Sequence, residues 1–169
     1  MTALHWNIVE ELVGTFRRDA EVVAVSLFGS LARGGVHTRS DIDIEVVTTS
    51  ARDWRLQHQE RRGIRIDLVT MPPAQFSEIV ARYPHLSYDY LSMRVVHDPD
   101  EFMARHIARL EAYFADRPEV AAYWEADLAA MRAKKDRGEH RMADIVAAYD
   151  EAERRFSEDG RITRPFLRG

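Results

Sequence analysis

Along the first hundred residues, short apolar runs alternate with polar, glycine-marked or proline-marked breaks, whereas from Asp98 onward apolar residues recur at helical spacing. Within residues 4–18, Ile8, Val9, Leu12, Val13 and Phe16 fall on one stripe and predict an amphipathic opening helix. The valine-rich segment Glu21 to Phe28 is short enough for a buried strand, and Gly29-Ser30 ends it. Leu31-Ala32-Arg33 suits a short helix stopped by Gly34-Gly35. Asp41 to Thr48 predicts a second strand, with Ile42, Ile44 and Val46 turned inward and Asp41, Asp43 and Glu45 outward, where Glu45 is expected to meet solvent or an arginine. Residues 49–62 are polar and predict a connection, partly helical around Trp54. After Gly63 the alternation returns: Ile64, Ile66 and Leu68 face a core, and Arg65, Asp67 and Val69 face away.

Pro72-Pro73 can open a helix carrying Phe76, Ile79, Val80 and Tyr83, and Met93 to His97 predicts a strand that finishes the sheet. Asp98-Pro99-Asp100-Glu101 has the order of a helix start, with Asp98 as N-cap. Three helices are expected beyond it. Phe102, Met103, Ile107, Leu110, Tyr113 and Phe114 mark the first; Val120, Trp124, Leu128 and Met131, after Pro118, the second; Met142, Ile145, Val146, Tyr149 and Phe156, after Gly138, the third. The pattern gives an α+β domain over residues 1–98, a small mixed sheet flanked by helices, and a helical extension over 99–169. The stripes of that extension need one another, a partner protein, or a second copy of the chain, as acceptor binding or oligomerisation would provide. The last stretch, Arg161 to Gly169, is expected to fray or to meet a partner.

Composition narrows the classes. A net charge of −4 gives no basic field and argues against a nucleic-acid partner. The absence of cysteine excludes disulfides, thiolate metal sites and cysteine nucleophiles. No run approaches membrane-spanning length, and the first residues lack a signal-peptide pattern, so a cytoplasmic location without membrane association is the expectation. The seven histidines show no metal-ligand spacing, and none is assigned a role.

The candidate chemistry lies in Leu27-Phe28-Gly29-Ser30-Leu31-Ala32-Arg33-Gly34-Gly35 and, after Val36-His37-Thr38-Arg39, in Ser40-Asp41-Ile42-Asp43-Ile44. Strand alternation puts Asp41 and Asp43 on one face, where two carboxylates a few ångströms apart call for a cation. Magnesium favours carboxylate oxygens and phosphates. Two such ions, roughly 3.5–4 Å apart, would supply what nucleotidyl transfer from a triphosphate needs: in-line positioning and neutralised charge on the attacking and departing oxygens. Asp67, from the third apolar run, is the candidate third carboxylate. Gly29 permits close backbone approach, Ser30 can donate its hydroxyl and N–H to phosphate, and Arg33, Arg39 and Ser40 are candidates to balance triphosphate charge.

Gly29-Ser30, ten intervening residues, then Asp41-Ile42-Asp43 resembles the signature of the DNA polymerase beta-like nucleotidyltransferase superfamily, and the longer string resembles its minimal bacterial branch. That branch includes MNT antitoxins paired with HEPN toxins, and antibiotic nucleotidyltransferases acting on aminoglycosides and lincosamides. The resemblance covers roughly residues 20–98. It implies a nucleotidyltransferase fold, phosphate binding by Gly29 and Ser30, magnesium binding by Asp41 and Asp43, and a third metal-binding carboxylate, matched by Asp67. The implied donor is a nucleoside triphosphate, with ATP favoured. The implied acceptor is a hydroxyl on a small molecule, aminoglycoside-like, or on a HEPN-type protein partner. The competing expectation is an antitoxin that neutralises its partner by contact, with little or no catalysis. No arginine is followed four to six residues later by histidine in the helical region, so the chain does not resemble a fused HEPN toxin.

Overall fold

The computed structural model describes residues 2–34, 40–139 and 141–157. Gly35, Arg39 and the stretch from Arg161 therefore lie outside the described residues. The chain divides into two compact units, Met1–Glu78 with Asp89–Ile107, and Ile79–Tyr88 with Ala108–Gly169. Residues 99–107 thus group with the sheet, and 79–88 with the later helices.

In the first unit, helix α1 (Thr2–Phe16) precedes β1 (Val22–Leu27), the single turn α2 (Gly29–Ala32) and β2 (Ile42–Thr48). Then come β3 (Arg55–Arg61), β4 (Ile64–Met71), the helix α3 (Pro73–Arg82) that continues into the second unit, and β5 (Arg94–His97). The five strands order as β3-β4-β2-β1-β5. Only the β2–β4 pair is parallel; the others are antiparallel, so the sheet is mixed and the architecture α+β.

The core follows from alternation. Val25 and Leu27 of β1, Ile42, Ile44 and Val46 of β2, and Ile64, Ile66 and Leu68 of β4 form one buried cluster with Ile8, Val9, Leu12 and Val13 of α1. Each such aliphatic side chain contributes roughly 1.5–3 kcal/mol when removed from water. These contacts fix the strand register, because slipping a strand by one residue would turn its aliphatic set outward.

Three expectations are corrected. Residues 55–61 form a strand, not a connection with a helical part, although every side chain in it is exposed. It is an edge strand joined to β4 by the two-residue turn Arg62-Gly63, whose positive φ values of 54° and 76° give the hairpin its twist. Glu45 does not meet solvent; it is 4% exposed. The helix α4 (Phe102–Asp116) begins later than the cap sequence implies. Glu101, at φ 55°, kinks the chain, and Asp98 still caps from a distance by accepting from the N–H groups of Met103 and Ala104 at 3.2 and 2.9 Å.

The second unit is helical, with α5 (Pro118–Asp136) and α6 (Met142–Phe156) as expected. Within it the Trp124 indole donates to the His85 carbonyl at 2.6 Å, and His85 pairs with Glu153 at 2.6 Å, both side chains buried. Among the described residues no helix is long and apolar enough to cross a membrane.

Candidate active site

Away from the α1 side, the sheet carries a row of polar residues. In the parallel β2–β4 pair, Asp43 stands directly opposite Asp67, and Glu45 opposite Val69. In the antiparallel pairs, His58 stands opposite Asp67 and Ser26 opposite Glu45. The row therefore runs His58, Asp67, Asp43, with Glu45 and Ser26 one step along the strands.

The turn after β1 closes on this row. Phe28 donates its N–H to the Asp43 carbonyl at 3.0 Å, extending the β1–β2 ladder to the aspartate. Gly29 follows at φ +63°, and a Cβ built on it would overlap Asp43 Oδ2 and lie 3.3 Å from its Cγ. Only glycine satisfies both the left-handed backbone and that close approach. Ser30 comes next in the turn, partly exposed, and Arg33 is exposed at its end. The entry to β2 is held from another element: His5 of α1, 2% exposed, donates from Nε2 to the Ser40 carbonyl at 3.0 Å. Ser40 is buried and Asp41 exposed.

Asp67 is met by side chains. Arg65 donates from Nε to Oδ1 at 2.7 Å and from a terminal nitrogen to Oδ2 at 3.1 Å. His58 Nδ1 lies 2.8 Å from Oδ1, which can only accept, and 3.1 Å from an Arg65 terminal nitrogen, which can only donate, so its tautomer selects between the two bonds. Burial pulls the Asp67 carboxyl upward, but the bonds from Arg65 and His58 outweigh it and leave it below the usual range. The bond and charge of Asp67, with smaller attraction from Asp41 and Asp43, hold the Arg65 guanidinium above its ordinary value. All three aspartates thus act on one cationic side chain. An open depression of about 570 Å³ lies alongside, lined by His58, Gln59, Glu60 and Arg65.

Glu45 is pushed up to about 8 by burial, with a hydrogen bond from Tyr90 pulling the other way. The Tyr90 ring in turn packs edge-on against Phe28 and Phe76, at 5.9 and 5.0 Å between centroids. Glu45 Oε1 and Ser26 Oγ are buried without a hydrogen-bond partner among the described residues.

The structure brings Asp43, Asp67 and Gly29 together and keeps Asp41 and Ser30 beside them in the chain; Arg39 lies outside the described residues. His58, His5 and the burial of Glu45 are absent from the sequence reading. His58 had a signal: counting outward from Arg62-Gly63 pairs 61 with 64 and 58 with 67. The oxygen donors Asp41 and Asp43 suit a hard divalent cation, and the missing Cβ at Gly29 leaves space that one Asp43 oxygen uses. Asp67 fits less readily, because both its oxygens are engaged. Among the described residues no three His, Cys, Asp or Glu side chains already stand close enough together to hold an ion.

Comparison with known proteins bears on the same segment. Residues 10–80 match the family model described as polymerase beta, nucleotidyltransferase. Among solved structures, a nucleotidyltransferase-like protein from Exiguobacterium sibiricum is similar at 12% identity and a TM-score of 0.45, over 85% of this chain and 52% of that one. The chain therefore spans about half the length of that neighbour. No curated protein matches it. The matched stretch, from within α1 to within α3, holds the turn, the paired aspartates and the third carboxylate, and it is this stretch that is similar to the polymerase beta-like nucleotidyltransferases.

Proposed function

We propose that the chain is an active nucleotidyltransferase, moving a nucleoside monophosphate from a triphosphate, ATP favoured, to a hydroxyl acceptor with release of pyrophosphate. One observation carries the reading: the β2–β4 register sets Asp43 opposite Asp67 while Gly29 receives the Asp43 carboxylate on the other flank. Magnesium, held by Asp41 and Asp43 and in a second position by Asp67, would neutralise the phosphate oxygens and align donor with acceptor. Gly29 admits the triphosphate close to the backbone, and Ser30 donates to its outer oxygens. Arg33, Arg39 and Ser40 balance its charge. Asp67, bonded to His58 and Arg65 of the depression along β3, orients the acceptor hydroxyl. That acceptor is a small molecule or a partner protein, and the site works in the cytoplasm.

Labelled ATP with magnesium and candidate acceptors tests the reading. Transfer of label, reduced at least about a hundredfold in Asp41→Asn, is the expected result, since one ligand of an electrostatic clamp is lost. A second reading, an antitoxin-type binding module with little catalysis, draws on the fact that Arg65 and His58 already satisfy Asp67. Neutralisation of a partner that survives Asp41→Asn, with no label transfer in either protein, would replace the first reading by the second.

A further inference from the structure

Strand pairing carries the segment before β5 to the turn after β1. In the antiparallel β1–β5 pair Leu27 stands opposite Arg94, so the chain entering β5 runs beside the chain leaving β1. Tyr90, in the 3-10 turn Tyr88–Ser92, thereby meets Phe28, the residue before Gly29. Its ring packs edge-on against Phe28 at 5.9 Å and 61°, and against the fully buried Phe76 at 5.0 Å and 67°. Its hydroxyl shares a hydrogen bond with Glu45, on the strand that carries Asp43. One side chain therefore touches the turn, β2 and α3. Phe28 for its part opens the turn α2 without a side-chain hydrogen bond to it, and its N–H is committed to the Asp43 carbonyl.

We propose that Tyr90 is a positioning residue for the triphosphate: through Phe28 it holds the Gly29-Ser30 turn at the distance from Asp43 that phosphate binding requires. This rests on the nucleotidyltransferase reading and adds to it a residue that acts through another side chain. Gly29, at φ +63° and without a Cβ, gives the turn little stiffness of its own, although its close approach to Asp43 tolerates little movement. A planar ring held by Phe76 and Glu45 supplies that stiffness from outside the turn. An edge-on ring pair corresponds to about two- to tenfold in an equilibrium constant, enough to set nucleotide affinity while the aliphatic core stays intact.

Equilibrium binding of labelled ATP with magnesium to the full chain, together with steady-state transfer and melting curves, tests this role. Tyr90→Leu should weaken ATP binding about two- to tenfold. It should also lower kcat by up to about a hundredfold, as a displaced turn would. Tyr90→Phe keeps both ring contacts and should return affinity to within about twofold of the native chain. Val13→Ala, buried on α1, separates position from stability: it should lower the melting temperature and leave ATP affinity native. Phe28→Leu should reproduce the Tyr90→Leu loss, and the double variant should lose no more than about twofold beyond either single one, because the two rings act as a unit. Native affinity in Tyr90→Leu, a loss that Val13→Ala matches, no recovery in Tyr90→Phe, or losses that multiply in the double variant would each overturn the role. Should Tyr90→Leu not fold, Phe28→Leu decides, and native affinity there has the same meaning. If the native chain binds ATP with magnesium and the variants bind it equally well, only the role of Tyr90 falls. If the native chain binds none, the nucleotidyltransferase reading falls and takes this role with it.

Discussion

On the β1 flank of the polar row, Asp43 meets backbone: the Phe28 N–H bonds its carbonyl, and the bare Cα of Gly29 lies against its carboxylate. On the β3 flank, Asp67 meets side chains, an arginine and a histidine. The first flank is set by a dihedral angle and a missing methyl group. The second is set by charges on flexible stems that can be exchanged for other charges. Substitutions on the β1 flank should therefore act through geometry and be severe. Those on the β3 flank should act through electrostatics and be graded.

The largest expected effect tests the geometric flank. Gly29→Ala forces a Cβ into Asp43 Oδ2 at a left-handed backbone position. Misplacement of a positioning group by about 1 Å costs roughly a hundredfold in rate, and the left-handed strain adds about 1–2 kcal/mol of instability. Steady-state transfer rates and a melting curve measure both. A Gly29→Ala protein with native rates would show that the close approach has no role.

The next effect concerns the inner end of the row. Glu45 sits at about 8 in the folded chain against an ordinary 4.5. Below pH 4.5 the carboxyl is neutral in both states and its contribution is whole. As pH rises toward 8, only the folded state keeps the proton, and stability falls by roughly 1.4 kcal/mol per pH unit. Glu45→Gln should lack that slope and exceed the native chain in stability above pH 8, in metal-free denaturant unfolding at several pH values. Parallel profiles would show that Glu45 does not hold a proton on folding.

The smallest effect tests the electrostatic flank. Asp67 lies below the usual carboxylate range, so its contribution is present above the unfolded value and lost as pH falls through the folded one. His58→Ala removes one of its donors and should narrow that acid window, at a cost below about 1 kcal/mol for so exposed a pair. The Asp67 carboxyl resonance, followed by NMR through acid titration, should move toward ordinary values. An unchanged midpoint would assign the depression to Arg65 alone.

Much of this was readable before any coordinates. The apolar runs 22–27, 42–48 and 64–71 carry aliphatic residues dense enough to declare themselves, and alternation alone put Asp43 and Asp67 on the face away from the core. The strand Arg55–Arg61 was not readable, because an edge strand needs only backbone bonds to one neighbour and its side chains carry no burial pattern. Glu45 was misread for the converse reason. Alternation turned it away from one core, and a second layer built by Tyr90 and Phe76 buried it from the other side.

By itself, then, the sequence determined the turn at Gly29-Ser30, the spacing to Asp41 and Asp43, and the faces of β2 and β4. All of these are local consequences of dihedral freedom and a period of two. The tertiary structure alone decided that Asp43 faces Asp67, that His5 anchors Ser40, and that Glu45 lies buried. Strand order and the packing of distant side chains set those relations, and a one-dimensional pattern carries neither.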